Sequence, residues 1–344
     1  MKVLKLIGKI FAFIGVTIGG VLLALVFTII LICHGPSEAA KELFVTTILE
    51  TGQVKFLANL FVGSDEIKRI VAKNSLGEMS AEVDTSLIET NVDKTKDLIE
   101  LYSVGGSNYR GIMMVINDPS KVSLATTYPW TEYGKVLEDI VKDSGAIAGI
   151  NGGLYYSSGN KGGTPMGICV SNGEIQYLNP QINGLYLIGF DESNILRVLS
   201  LEGMSSNQVR ELVKKEKIRD AIAFQEDNSD KNNHFVKLII NGEARELNGL
   251  GSGANPRTAI GQRADGSVLF LVTDGRGAKG HLGATASDLI EIFEEYGAVN
   301  AANIDGGSST TMYYKDKYLM NSVTFYYANS SWRLPTAFVV KEDK

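Results

Sequence analysis

Cysteine and histidine are scarce in this 344-residue chain, with two of the first (Cys33, Cys169) and three of the second (His34, His234, His281). Cys33 ends an apolar run and Cys169 stands alone, so no intrachain disulfide is expected. The same shortage removes H-E-x-x-H and Cys/His zinc sites. Positive charge is also short: Lys plus Arg total 33 against 39 Asp plus Glu, a net charge of −6. Nucleic acid is therefore excluded as a partner, because neutralising phosphates requires a cationic surface. With 44% hydrophobic residues, 21% charged residues and only 7 Pro, the chain is neither disordered nor collagen-like. It has no internal repeat and no low-complexity tract.

What is present begins with a run of 24 uncharged residues, Ile10 to Cys33. At about 1.5 Å rise per residue, a helix of that length crosses a hydrocarbon core of about 30 Å. The run is longer than the apolar region of a cleaved signal peptide, so it reads as an uncleaved anchor over residues 10–33 after a cytoplasmic tail, 1–9. Lys2, Lys5 and Lys9 precede it and no Lys or Arg lies just after it, which places the N-terminus inside and the rest on the extracytoplasmic side. That outer part keeps 30 cationic against 39 anionic side chains. A balance of −9 does not hold it to an anionic membrane, so the anchor provides the tether.

Residues 34–95 mix helical patches, Ala39 to Leu49 and Asp65 to Ala72, with polar stretches, and read as a helical stalk or as a cap packed on the C-terminal domain. From residue 96 to 344 the texture changes to short apolar runs (Gly111 to Ile116, Ile147 to Ile150, Val236 to Ile240) separated by Gly and Asn turns. This is the pattern of an α/β domain with a mixed, α+β-like sheet. Asn172-Gly173 and Asn241-Gly242 between apolar runs predict tight hairpins, because Asn-Gly readily takes the positive φ angles those turns require.

Arg257 to Arg263 and Ser267 to Thr273 read as a hairpin that sets Arg257 beside Asp274. A glycine-rich stretch follows, then a helix with Thr285 and Asp288 in capping-box positions and Leu289, Ile292, Phe293 and Tyr296 along one face. The next strand, Ala298 to Ile304, ends in Asp305-Gly306-Gly307-Ser308-Ser309-Thr310. Strand, crossover helix and strand predict a parallel pair with Asp274 and Asp305 at one edge. A helix from Tyr133 to Val141 feeds Ala146 to Ile150 and brings Asn151-Gly152-Gly153 to the same rim. Asp-Gly and Asn-Gly are ordinary turn chemistry when taken singly. Two carboxylates converging with Arg257 and Arg276 point instead to a functional site.

Three other readings compete for residues of this region. Gly275, Gly277 and Gly280 fit G-x-G-x-x-G, but the helix starts too late and the preceding strand belongs to a hairpin, so no nicotinamide cofactor is expected. The 306–310 loop lacks the second Gly of a nucleophile elbow, which disfavours a serine hydrolase. Cys169 lies in an apolar run without a base and reads as a buried bystander.

Five blocks in order, NGGLYY (Asn151 to Tyr156), NPRTAIG (Asn255 to Gly261), TDGRG (Thr273 to Gly277), NIDGGSST (Asn303 to Thr310) and RLPTAFVV (Arg333 to Val340), resemble those of the phosphodiester glycosidase domain family. The resemblance covers roughly residues 98 to 344 and implies hydrolysis of a sugar-1-phosphodiester to a free sugar and a phosphomonoester. Two catalytic carboxylates are then expected, Asp305 at the oxocarbenium-like centre and Asp274 on water, or the same two with their roles exchanged. Arg257 and Arg276 would hold phosphate through paired, charge-assisted hydrogen bonds. Asn151, Asn255, Asn303, Gly306, Gly307, Ser308, Thr310 and Tyr155 complete the implied substrate-binding set, and Tyr155, Tyr156 and Trp332 offer sugar-stacking faces. No cofactor is required on this reading. The alternative is a divalent cation, Ca²⁺ or Mg²⁺, held between Asp274 and Asp305. The expected substrate is a phosphate-linked glycan of a cell wall or exopolysaccharide. The rival function is a non-catalytic glycan-binding or polysaccharide-assembly factor, which has no use for paired acids that repel phosphate.

Overall fold

A computed structural model describes residues 2–51, 54–90, 93, 95–229, 232–322 and 329–342. Among them are seven α-helices: α1 (Lys2–His34), α2 (Glu38–Leu49), α3 (Phe56–Phe61), α4 (Ser64–Lys73), α5 (Leu137–Asp143), α6 (Ser206–Lys215) and α7 (Ala286–Glu295). From Val3 to His34, α1 is long and apolar enough to cross a membrane. Its large apolar side chains are mostly exposed, while Cys33 at its far end is buried against α2, α3 and α4. Helix α2 opens at Ser37, whose side chain accepts from the Ala40 N–H, and α7 opens with the capping box of Thr285 and Asp288. Each cap satisfies N–H groups that the first helical turn leaves without a partner.

The remaining described residues form three larger antiparallel sheets and one small hairpin. The largest has seven strands in the order Ile99–Gly105, Arg110–Ile116, Val268–Thr273, Thr258–Arg263, Ala298–Asn303, Lys237–Ile240 and Glu243–Ala244. Two five-stranded sheets complete the core, and Phe338 sits where all three sheets meet. Its ring centroid is 6.3 Å from that of Phe270 in the large sheet and 6.2 Å from that of Phe190 in the third sheet. All three side chains are fully buried. Phe338→Ala is expected to lower the unfolding free energy by about 3–5 kcal/mol through lost burial and an unfilled cavity. Denaturant unfolding checks this, and a loss under about 1 kcal/mol would mean that the three sheets do not share this contact.

The hairpins at Asn172-Gly173 and Asn241-Gly242 form, with φ of +51° and +76° in the first and +57° and +79° in the second. The parallel pair does not. Thr258–Arg263 lies between Val268–Thr273 and Ala298–Asn303 and is antiparallel to both. The two flanking strands run the same way without touching, because the hairpin partner of one also serves the other. Helix α5 starts at Leu137 rather than Tyr133, since Tyr133 and Lys135 are taken by bridges to Gly162 and Leu334.

Residues 76–89 lie along the large sheet. Leu76 bridges Leu247, and Lys237 donates from Nζ to the carbonyls of Met79 (3.0 Å) and Ala81 (2.8 Å). Val83 and Ile88 enter the main core. This stretch is thus packed on the large sheet and its core.

Candidate active site

Alternation along the strands decides which side chains meet. Thr258 pairs with Val272, so Arg257 stands opposite Thr273, whose N–H donates to the Arg257 carbonyl at 2.9 Å while its Oγ1 accepts from the Arg257 N–H at 3.0 Å. Ala259 pairs with Asn303 on the other side. Cross-strand partners share a face and successive residues alternate, so Arg257, Thr273, Asn303 and, two further on, Asp305 fall on one face. Asp274 falls on the other.

A cavity of about 660 Å³ opens on the first face. Its walls include Arg257, Arg276, Asn255, Asn303, Asp305, Gly306, Gly307, Ser308, Tyr155 and Trp332, all singled out in the sequence. Glu50 and His234, which were not, also line it. Asp274 lines a separate cavity of about 590 Å³ with Arg110 and the 319–322 segment. Its Oδ1 accepts from the Arg110 N–H at 2.7 Å and its Oδ2 lies 2.7 Å from His281 Nδ1, so the carboxylate caps the end of the neighbouring strand. The expected pairing of Asp274 with Asp305 across one cleft is therefore corrected: Asp274 is one residue past Thr273, the partner of Arg257, and faces the other side of the sheet. A divalent cation held between these two acids would have to bridge two cavities. Among the described residues no cluster of three or more His, Cys, Asp or Glu is arranged to hold a metal.

Two more expected contacts lie behind the cavity wall. Asn151 is buried and braces the acidic loop, with Nδ2 donating to the Asp305 carbonyl at 2.6 Å and Oδ1 accepting from Thr258 Oγ1 at 2.7 Å. Thr310 is fully buried behind Gly306. Tyr155 presents its ring to the cavity, while its hydroxyl lies 2.9 Å from Ser309 Oγ. Tyr156 is exposed and outside the lining.

The glycine-rich stretch makes a loop rather than the start of a helix, with only a short 3₁₀ turn at Ala278–Gly280 before α7. It turns Arg276 into the cavity, with Nη1 donating to Ser308 Oγ at 2.6 Å. Gly307, at φ +62°, lies so close that a Cβ there would come 2.6 Å from Arg276 Nη2. The positive φ favours glycine at this point, and a Cβ would also push the guanidinium aside.

Asp305 is partly open to the cavity. The surrounding protein nonetheless pushes its pKa up to about 7, against the opposing pull of Ser309, Arg276 and the Gly306 N–H. Burial lowers the pKa of Arg276, and the like charge of Arg257 adds to that shift. Burial, reinforced by Arg257, holds His234 down at about 4, so it is neutral at pH 7. Buried His234 Nδ1, Asn255 Oδ1, Arg276 Nε, Asn303 Oδ1 and Trp332 Nε1 have no hydrogen-bond partner among the described residues. Five such atoms and two guanidiniums thus surround one cavity, polar groups able to meet hydrogen-bonding and anionic partners.

The raised pKa has a measurable consequence. An unfolded Asp loses its proton near 3.9, whereas Asp305 keeps its own to about 7. Between those values the unfolded state binds fewer protons, so this group costs stability as pH rises and the full cost is present above 7. Asp305→Asn is expected to exceed the wild type by about 1–3 kcal/mol at pH 8, after allowance for solvent at the cavity mouth, with the gap closing toward pH 4. Denaturant melts across pH check this, and a gap independent of pH would remove Asp305 as its source.

Glu50 has no local signal in the sequence. It caps the C-terminal end of α2, and its side chain, 2% exposed, forms an ion pair with Arg257 across 207 positions.

Residues 144–341, more than half of the chain, match the family model for phosphodiester glycosidase. An uncharacterized SPbeta prophage-derived protein of Bacillus subtilis, YomE, is 40% identical over 67 residues, which are 20% of this chain and 10% of that protein. The chain thus spans about a tenth of the length of that curated relative. The catalytic domain of zebrafish N-acetylglucosamine-1-phosphodiester alpha-N-acetylglucosaminidase, described as auto-inhibited by its pro-peptide, shares the fold. Its TM-score is 0.53 at 16% identity, over 73% of this chain and 86% of that one.

Proposed function

Because the chain belongs to the phosphodiester glycosidase family, we propose that it hydrolyses a sugar-1-phosphodiester on the extracytoplasmic side of a membrane. The single observation that carries this reading is one cavity holding Arg257, Arg276 and a carboxyl group, Asp305, that titrates near neutral pH. The guanidiniums hold the phosphate and offset the charge that builds on it as its bond to the sugar lengthens. A phosphomonoester leaves readily, so a strong general acid is less necessary than in cleavage of an ordinary glycoside.

Asp274 faces the other cavity and Glu50 is held by Arg257, so the work on water falls to Asp305. In its ionised form Asp305 takes a proton from a water molecule as the water oxygen bonds to the anomeric carbon. The bond from that carbon to the phosphate oxygen breaks, the electron pair stays with the phosphomonoester, and Asp305 returns its proton to solvent. A single displacement of this kind inverts the anomeric configuration. Asn303, Asn255 and His234 offer unpaired polar atoms to sugar hydroxyls, and Trp332 offers a stacking face.

The N-terminal helix serves on this reading as a single-pass anchor, with Lys2, Lys5 and Lys9 inside. The substrate would be a glycosyl-phosphate linkage in a cell-wall or exopolysaccharide glycan. The test is to incubate the detergent-solubilised full chain with synthetic sugar-1-phosphodiesters and measure freed sugar and its initial anomer by NMR. Binding without release would support the non-catalytic glycan-binding alternative, and retention of configuration would remove Asp305 as a base acting directly on water.

A further inference from the structure

Arg257 is held unusually firmly for a residue that faces a ligand cavity. Nε donates to the Ala284 carbonyl at 3.1 Å, and Nη2 donates to the Gly253 carbonyl at 2.6 Å, to Ser252 Oγ at 3.1 Å and to Glu50 Oε2. The guanidinium lies over the Phe235 ring at 4.9 Å. Glu50 in turn accepts from the Gly253 N–H at 2.7 Å, from Asn255 Nδ2 at 2.9 Å and from Asn233 Nδ2 at 3.2 Å. Every partner of this carboxylate is a donor and both of its oxygens are engaged, so Arg257, Gly253 and Asn255 favour the ionised form against the burial that pushes its pKa up.

We infer that Glu50 is a positioning residue that fixes the Arg257 guanidinium and the 252–257 loop in the geometry that receives the phosphate, an inference that rests on the function proposed above. With Nε and Nη2 committed, Nη1 is the nitrogen left to face a ligand. Glu50 itself has no oxygen free for substrate, so it acts through Arg257.

The contact between α2 and the loop belongs to the fold and is not a removable plug. The Ala254 N–H donates to Thr47 Oγ1 at 3.1 Å, and Asn255 Nδ2 reaches the Thr47 carbonyl at 3.3 Å. A Cβ on Gly253 would overlap the backbone of Thr46 and Thr47. Helix α2 is itself anchored by buried Val45 and Leu49 in one cluster with α3 and α4. The site therefore takes an essential part from outside residues 144–341, on the first helix after the apolar one.

The test uses the full chain in detergent, with Glu50→Gln, Arg257→Lys and the double variant. If Glu50 acts through Arg257, Glu50→Gln lowers kcat/KM about 10–100-fold in the wild-type background. In the Arg257→Lys background it lowers kcat/KM less than about 3-fold, because effects passing through one group are not additive. Glu50→Asp, which keeps the charge but shortens the reach, falls between Gln and wild type and serves if the Gln variant does not fold. Full additivity overturns the inference, and so does a rise in kcat/KM on removing Glu50, which is what a blocking residue would give. A second readout does not need turnover. In ¹⁵N-arginine-labelled protein the two Arg257 Nη resonances, assigned by their loss in Arg257→Lys, should be resolved in the wild type and averaged in Glu50→Gln. Wild-type protein that is inactive but shows this NMR difference defeats the proposed function and leaves the role of Glu50 standing. Active wild type with unchanged Glu50→Gln defeats the role of Glu50 alone.

Discussion

Asp305→Asn is expected to lower kcat for sugar-1-phosphodiester cleavage by about 10²–10⁴-fold while the fold is kept. The substitution preserves shape and removes the group that accepts the proton of water. Asn151 holds the loop through the Asp305 backbone carbonyl, which the change does not touch. Because the folded-state pKa is about 7, wild-type kcat should fall as pH drops through 7, where the carboxylate takes up a proton and ceases to act as a base. The variant should lose that limb and keep only a low, flat residual rate. Steady-state kinetics from pH 5 to 9 decide the matter. A variant with more than a tenth of wild-type turnover, or with the acid limb intact, would take Asp305 out of the chemistry.

Arg257→Met should cost both activity and stability, and the stability loss comes from a residue far away in sequence. Without the guanidinium, Glu50 is left buried without its counter-charge, with 2% of its side chain exposed and burial pushing its pKa up. Breaking a buried pair from one side typically costs about 3–5 kcal/mol. Part of that loss should return in the double variant Glu50→Met, Arg257→Met, since no orphaned charge then remains. Activity should not return, because the phosphate has lost a charge-assisted partner. Arg257→Lys separates the two effects. It keeps the charge and most of the stability but cannot reproduce the Nε and Nη2 fork on Ala284, Gly253 and Glu50, so kcat/KM should fall at least about 100-fold. Thermal melts and kinetics on all three check this. An unchanged melting temperature in Arg257→Met would show that the ion pair contributes nothing to the fold.

Features governed by neighbours in sequence were legible without coordinates. The apolar N-terminal run had to be a long helix, because a segment without charge satisfies its backbone only by internal hydrogen bonds if it enters a membrane. Asn172-Gly173 and Asn241-Gly242 had to turn, because few other pairs take two successive positive φ angles without strain. Thr285 and Asp288 set the start of α7 through groups three residues apart. The strand pattern likewise places Arg257 and the loop from Asp305 at one end of the same sheet, and both line one cavity.

The position of Asp274 and the existence of Glu50 in the cavity were settled only by tertiary structure. The hairpin and its register were legible, but that register sets Thr273 opposite Arg257, and Asp274, one residue further on, turns to the other face. In a sheet a single residue of offset moves a side chain to the opposite face. Glu50 reaches Arg257 from a helix 207 positions away, and no periodicity or turn preference encodes a contact made only when α2 packs against the 252–255 loop. Local chemistry fixes which segments turn, coil or extend. Which carboxylate finally meets the arginines depends on how those segments pack, because packing is a sum over contacts between residues distant in sequence.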